Sequence, residues 1–217
     1  MRLFAGLLVV AVATLVVFAL WPQIDLAAAG ALFGPAGFLR SGSARAARAF
    51  FNVSPFVVLV GLAALYGLRR VGIAIPHAPT GRQLVFLVAT MAIGPGLIVN
   101  LGLKDHTHRP RPIQTRDFGG PFAFRPWDRL DGQCPRNCSF VSGEGAAAFW
   151  MVAPASLAPP PWRAPAIAAA LGFGVATSAL RMAFGGHYLS DVVLAALLTL
   201  ILVQGARLLL LGGRGAA

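Results

Sequence analysis

Six apolar stretches, each near membrane-crossing length and nearly bare of charge, constrain this chain more than any other feature. They run at about Leu3–Trp21, Phe51–Leu68, Leu84–Leu103, Gly143–Leu157, Ala164–Leu180 and Leu189–Leu211, the fourth being the shortest. Roughly 20 apolar residues span the hydrocarbon core as a helix. Inside lipid a backbone must satisfy its own hydrogen bonds, so stretches of this kind become helices. Over the 217 residues, 57% are hydrophobic and 12% charged, about half the charge of a soluble domain. The first stretch, after Met1-Arg2 and ahead of Ala27-Ala28-Ala29, also admits a signal-peptide reading. Its 19 residues exceed the roughly 7–15 of a signal core, so an uncleaved span is expected. No repeat, low-complexity tract or composition shift marks a second domain. The expected fold is all-α, a single six-transmembrane bundle over residues 1–217.

With six spans, the connections alternate sides. Residues 22–50, 104–142 and 181–188 fall on one side, and the termini with the two remaining connections on the other. All seven acidic residues (Asp25, Asp105, Asp117, Asp128, Asp131, Glu144, Asp191) belong to the first side. The other carries seven arginines (Arg2, Arg69, Arg70, Arg82, Arg163, Arg207, Arg214) and no acid. Orientation follows Lys/Arg bias and not net charge, and the acidic side carries 11 basic residues of its own, so the count leaves orientation open. Cys134 and Cys138, the only cysteines, sit four apart in a polar loop on that side. Such a pair suits a disulfide in an oxidising compartment, with two free thiols as the alternative. No further cysteine or histidine stands at zinc-ligand spacing in the loop. The acidic side is therefore expected to face outward from an inner membrane.

Three polar clusters interrupt the apolar pattern, all on that side. The first, Lys104-Asp105-His106-Thr107-His108-Arg109-Pro110-Arg111-Pro112, follows the third span. Its prolines end the helix, and Lys104 and Arg111 can meet on one anion or anchor acidic lipid head groups. The second, Val141-Ser142-Gly143-Glu144-Gly145, opens the fourth span with a good N-cap serine and glycines that let an anion approach. An ordinary helix cap explains it equally. In the third, Arg181 precedes His187 by six residues, and Asp191 follows four later on the same helical face. A carboxylate beside an imidazole fixes its tautomer and leaves the other nitrogen as nucleophile or base. Asp191, at the edge of an apolar span, requires a partner.

Taken together, Lys-x6-Arg-Pro, then Ser-Gly, then Arg-x5-His-x3-Asp resembles the signature of the type-2 phosphatidic acid phosphatases (PAP2), shared with vanadium haloperoxidases and bacterial acid phosphatases. The match runs from Lys104 to Asp191. The resemblance implies a PAP2/haloperoxidase-like helical core and a membrane enzyme that takes phosphate from a lipid phosphomonoester or diphosphate. In that reading Lys104, Arg111 and Arg181 hold the phosphate oxygens, with donors from Ser142 and Gly143. His187 attacks phosphorus to give a phosphohistidine, and Asp191 orients His187. Neither metal nor cofactor is implied, because cationic side chains neutralise the phosphate. The implied partners are a lipid phosphate and the bilayer, not nucleic acid. A phosphotransferase using the same intermediate and a non-catalytic phospholipid binder or transporter are the alternatives.

The sequence departs from the family pattern at two places. Glu144 stands where a histidine, the usual proton donor to the leaving alcohol, is expected, and Leu180 replaces a serine. Glu144 can donate a proton only where its surroundings keep it protonated, and phosphate-binding cations oppose that. A leaving group needing less protonation, a phosphate or an anomeric sugar oxygen, would relax the requirement. His106 and His108 read as spacers. Arg40, Arg45 and Arg48 have spacings that fit one helical face. Arg109, Arg116, Arg125, Arg129 and Arg136 read as solvated loop residues in local ion pairs with Asp117, Asp128 and Asp131. Trp21, Trp127, Trp150 and Trp162 read mostly as interface aromatics.

Overall fold

A computed structural model describes residues 1–104 and 106–212; Asp105 and Arg214, counted in the charge distribution above, lie outside the described residues. The described residues are helical without strands. In chain order the helices are α1 (Arg2–Leu20), α2 (Gln23–Gly30), α3 (Gly42–Arg70), α4 (Gly81–Met91), α5 (Gly143–Phe149), α6 (Val152–Ala155), α7 (Pro160–Ala183) and α8 (Leu189–Ala206). Past Met91 the chain of α4 continues as a π-helical segment, Ala92–Leu103, and α8 continues likewise through Arg207–Leu211. Pro95 has no N–H to give an α-helical ladder. The wider winding begins at the turn that holds it, and Asn100 Nδ2 donates to the Pro95 carbonyl at 2.7 Å.

Among the described residues five helices are long and apolar enough to cross a membrane: Arg2–Leu20, Gly42–Arg70, Gly81–Leu103, Pro160–Ala183 and Leu189–Leu211. The sixth expected span, Gly143–Leu157, is broken into α5 and α6 at Trp150–Met151. Its composition explains the break. Small residues (Gly143, Gly145, Ala146, Ala147, Ala148) are buried among α7, α8 and the π-helical segment, where a short helix fits and a lipid-facing one is not needed. Pro154 then interrupts the ladder in the second half. Trp150 accordingly is no interface residue: it is fully buried, its indole N–H donating to Thr90 Oγ1 at 2.9 Å. Trp162 and Trp21, at 68% and 49% exposure, do lie on the outside of the bundle.

Helix α3 starts well before its apolar part. Ser41 caps it by accepting from the Ala44 amide at 3.2 Å, and the helix extends nine residues beyond the expected Phe51 boundary. That extension carries Arg45 and Arg48 beyond the apolar stretch, whereas Arg40 precedes the helix. Two apolar clusters fill the bundle. Phe86, Leu87, Met91, Trp150, Ala153 and Val203 form one; Val99, Phe140, Val141, Ala146, Leu194 and Ala195 form the other, directly beneath the polar clusters.

Candidate active site

His187 precedes α8 and is 2% exposed. Its Nδ1 lies 2.7 Å from the carbonyl oxygen of Ser139. A carbonyl only accepts, so Nδ1 carries the ring proton and Nε2 keeps a free lone pair. Burial lowers the pKa of His187 to about 4, and Arg181 and Arg111 push the same way against the opposing pull of Asp191. The imidazole is thus neutral at physiological pH, the state in which Nε2 acts as a nucleophile.

Four residues on, Asp191 pulls on the ring electrostatically, but its hydrogen-bonded hold on the ring is indirect. Asp191 Oδ2 stands 3.7 Å from Nδ1, outside hydrogen-bond range. That oxygen instead accepts the hydroxyl of Ser139 and the Tyr188 amide, the latter at 2.8 Å. Ser139 is therefore the joint: its side chain is held by Asp191, and its carbonyl holds the histidine. Further fixing comes from the Ser139 amide, which donates to the Arg109 carbonyl at 2.9 Å, and from the Ser142 amide, which donates to the Asp191 carbonyl at 3.2 Å.

Behind Asp191 lies a residue that the sequence reading treats as solvated. Arg109 is wholly buried, not a loop cation in solvent. Its Nη1 donates to Asp191 Oδ1 at 2.6 Å and to Ser190 Oγ at 2.8 Å, its Nη2 to Asp25 Oδ2 at 2.7 Å, and its Nε to the Arg125 carbonyl at 2.9 Å. The Tyr188 ring covers it, 4.4 Å from centroid to guanidinium carbon. Burial opposes the charge on Arg109, yet Asp191 and Asp25 raise its pKa above the usual arginine value. The double-arginine Arg-Pro-Arg-Pro run is the only sequence signal that this residue differs from its loop neighbours. Nothing local singles out Asp25 or Ser139. Among the other loop charges, Arg125 and Asp131 do pair, at 3.2 Å.

The expected phosphate cradle is built from the three stretches. Lys104 ends the π-helical segment, and its Nζ lies 3.4 Å from Asn137 Oδ1. Arg111 donates to the Asn137 carbonyl at 3.1 and 2.9 Å and to Asn137 Oδ1 at 3.0 Å. Burial lowers the pKa of Arg111 below the usual arginine value. Asn137 lies inside the short loop closed by a Cys134–Cys138 disulfide. Two close approaches explain the glycines. A Cβ at Gly143 would meet Asn100 Oδ1 at 2.6 Å and Lys104 Nζ at 3.0 Å; one at Gly186 would meet Arg181 Nη2 at 2.6 Å. A side chain at either position would crowd the cation beside it. Ser142 caps α5, its buried Oγ accepting from the Gly145 amide at 3.1 Å, which leaves the hydroxyl proton to donate elsewhere.

Glu144 faces two guanidinium groups. Arg48 Nη2 and Nε donate to its carboxylate at 2.6 and 3.1 Å, and Arg181 Nε lies 3.4 Å from Oε1. This surrounding favours an ionised carboxylate, which accepts protons and does not supply them. The helical face expected for Arg45 and Arg48 thus delivers Arg48 to the site. A cavity of 380 Å³ opens beside these groups, its lining running from Lys104, Asn100, Gly143 and Glu144 to Pro95, Met91 and Phe56. Among the described residues no His/Cys/Asp/Glu cluster is arranged to hold a metal ion.

Such an arrangement sets a neutral, oriented imidazole within the electrostatic reach of Arg181 and Arg111, although neither the ring nor those two arginines line the cavity itself; fixed cations beside a nucleophile suit transfer of an anionic phosphoryl group. Comparison with known proteins points the same way. The PAP2 superfamily model matches residues 83–210, more than half of the chain. A lipid A 4'-phosphatase of Rhizobium etli is 36% identical over 205 residues, covering 87% of this chain and 80% of that protein. A lipid A 4'-phosphatase of Rhizobium leguminosarum is 44% identical over 125 residues, 58% of this chain and 54% of that one. The protein of the same name from Francisella tularensis subsp. novicida is 41% identical over 114 residues, about half of each chain. No solved structure matches at a significant level.

Proposed function

The chain belongs to the PAP2 superfamily, and from that premise we propose that it removes a ring phosphate from a lipid A-type glycolipid, at the outer face of a bacterial inner membrane. It is a multi-pass membrane phosphatase acting on a lipid phosphate. The narrower substrate rests on the names of its relatives. Outward orientation is supported by the Cys134–Cys138 disulfide, which lies in the same loop that supplies Asn137 to the cation cradle. The cavity running from Lys104 to Phe56 and Met91 joins a charged end to apolar walls, as a phosphorylated lipid requires.

The observation that carries the mechanism is the tautomer of His187, fixed by the Ser139 carbonyl at 2.7 Å. Lys104, Arg111 and Arg181 bind the phosphate oxygens, with the Ser142 hydroxyl and the Gly143 amide as further donors. The Nε2 lone pair attacks phosphorus opposite the leaving oxygen. A P–N bond forms as the P–O bond to the lipid breaks, and the departing oxygen takes a proton. Water then attacks phosphorus, the P–N bond breaks, and orthophosphate leaves with Nε2 restored. While phosphate is attached and Nδ1 keeps its proton, the ring carries a positive charge, which Asp191 offsets.

Leaving-group protonation falls to Glu144 in this reading, by way of the substrate itself. Resting Glu144 is ionised against Arg48 and Arg181. A bound phosphate dianion competes for Arg181 and sets negative charge beside the carboxylate, both of which favour its protonated form. A 4' phosphate leaves a ring alcohol and not an anomeric oxygen, so a donor is required, in contrast to the leaving groups that would do without one. The test is phosphate release by purified protein in detergent from lipid A, polyprenyl diphosphate, phosphatidylglycerophosphate and phosphatidate. Preference for lipid A, abolished in His187→Ala and inhibited by vanadate, is the expected result. Equal turnover of glycerol phospholipids would overturn the substrate assignment, and activity in His187→Ala would overturn the mechanism. Near-normal turnover in Glu144→Gln would remove Glu144 from the reaction.

A further inference from the structure

An arginine placed directly on the aspartate that supports the catalytic histidine is a puzzle on electrostatic grounds. Arg109 Nη1 meets Asp191 Oδ1 at 2.6 Å with both side chains fully buried. Left as a pair, the two charges cancel, and the negative charge needed beside the ring during phosphoryl transfer is lost. The structure holds a second carboxylate at the other end of the same guanidinium. Asp25, on the short helix α2, is 1% exposed, and its Oδ2 accepts from Arg109 Nη2 at 2.7 Å. It also accepts from the Ser190 amide at 2.8 Å and the Ser190 hydroxyl at 2.6 Å. In all three bonds Asp25 is the acceptor, the pattern of an ionised carboxylate.

We infer that Asp25 is a positioning residue for His187: by taking half of Arg109, it leaves the buried Asp25–Arg109–Asp191 cluster with one net negative charge behind the imidazole. The inference rests on the phosphohistidine reading above. Two carboxylates and one guanidinium carry a net charge of −1; the Arg109–Asp191 pair alone carries none. That surplus faces Nδ1 through Asp191 Oδ2 at 3.7 Å and through Ser139, whose carbonyl bonds the ring. Arg181 and Arg111 disfavour positive charge on the ring, while Glu144 is bound up with Arg48 and Arg181. A phosphorylated imidazolium among these cations draws its stabilisation chiefly from the Asp191 side, Glu144 being shared with two arginines. Asp25 sets how much of that stabilisation remains. The same contacts tie α2 to the head of α8, through Ser190, so charge and position are set together.

Charge balance and simple structural support predict different outcomes for paired variants. Asp25→Asn keeps hydrogen-bond capacity but brings the cluster to zero. It lowers kcat about 10- to 100-fold, the usual effect of removing a supporting carboxylate, with KM within about twofold. Adding Arg109→Gln restores the net charge of −1, and the double variant regains most of the lost kcat. Folding is followed for each variant by thermal melting in detergent. If Asp25→Asn alone fails to fold, a folded double variant with kcat near wild type supports the inference equally, because the defect then lay in unbalanced charge. Wild-type kcat in a folded Asp25→Asn, or a folded double variant no better than the single, overturns it. His187→Ala serves as the control that separates the two levels. Activity in that variant sinks the phosphohistidine reading itself, whereas an inactive His187→Ala beside an unaffected Asp25→Asn sinks only the role of Asp25.

Discussion

Arg109 and Arg111 are separated by a single proline and do opposite work. Arg109 is sealed from solvent, and both of its terminal nitrogens end on carboxylates. Arg111 meets the neutral oxygens of Asn137 instead, and among the described residues no carboxylate pairs with it. The pKa of each follows its company: carboxylates raise that of Arg109, and burial lowers that of Arg111. A saturated guanidinium is part of the scaffold, whereas one held by neutral acceptors can exchange them for a phosphate, whose charge makes the stronger hydrogen bonds. One residue apart, the two side chains thus reach wholly different partners. Identity of side chain therefore says little about role here; the charge of the partner says much.

Breaking Arg109 gives the largest expected effect. Arg109→Leu leaves Asp25 and Asp191 buried without a counter-charge, a loss of about 3–5 kcal/mol. The readout is a much lower melting temperature in detergent together with lost activity. Arg111→Ala sharpens the contrast from the other side. Its kcat/KM falls about 10²- to 10³-fold, as for removal of one donor to a developing anion, while the melting temperature stays near wild type. If Arg111→Ala melts as Arg109→Leu does, the division between scaffold and binding arginine is wrong.

A third measurement uses pH. His187 has its folded pKa lowered to about 4 from 6.5, so the unfolded chain binds more protons between those values. Stability contributed by the neutral buried ring is present above about pH 6.5 and is lost as pH falls toward 4. The wild-type melting temperature should therefore drop more steeply over that range than that of His187→Asn. Parallel curves would mean the ring is not held neutral. The smallest effect is expected from Cys134→Ser/Cys138→Ser. Freeing the loop around Asn137 loosens the neutral grip on Arg111, and KM changes about two- to fivefold with ordering of that loop. No change in KM would show that Asn137 holds Arg111 without help from the disulfide.

Much of the architecture was legible before any coordinates. Apolar length gave five of the spans, because crossing lipid imposes the same requirement on every segment regardless of its neighbours. The sixth failed as a continuous helix, since α5 is buried by protein, where that requirement does not act in the same way, and Pro154 interrupts α6. The order of Lys104, Arg111, Ser142, Gly143, Arg181, His187 and Asp191 marked out the candidate site; spacing brought His187 within 3.7 Å of Asp191, but not on one helical face, because His187 precedes α8. Spacing also suggested a helical face for Arg48 without revealing Glu144 as its partner, 96 residues away.

What the sequence by itself determined was the helical membrane class, which depends on composition and short-range periodicity; the candidate side chains for a phosphate came from the order and spacing of motifs that resemble the PAP2 signature. Tertiary structure alone decided which charges meet. Asp25 reaches Arg109 across 84 residues and Ser190 across 165, and Ser139 comes between Asp191 and His187. Burial makes such pairings decisive, because a charge removed from water must find its partner in whatever the fold brings beside it.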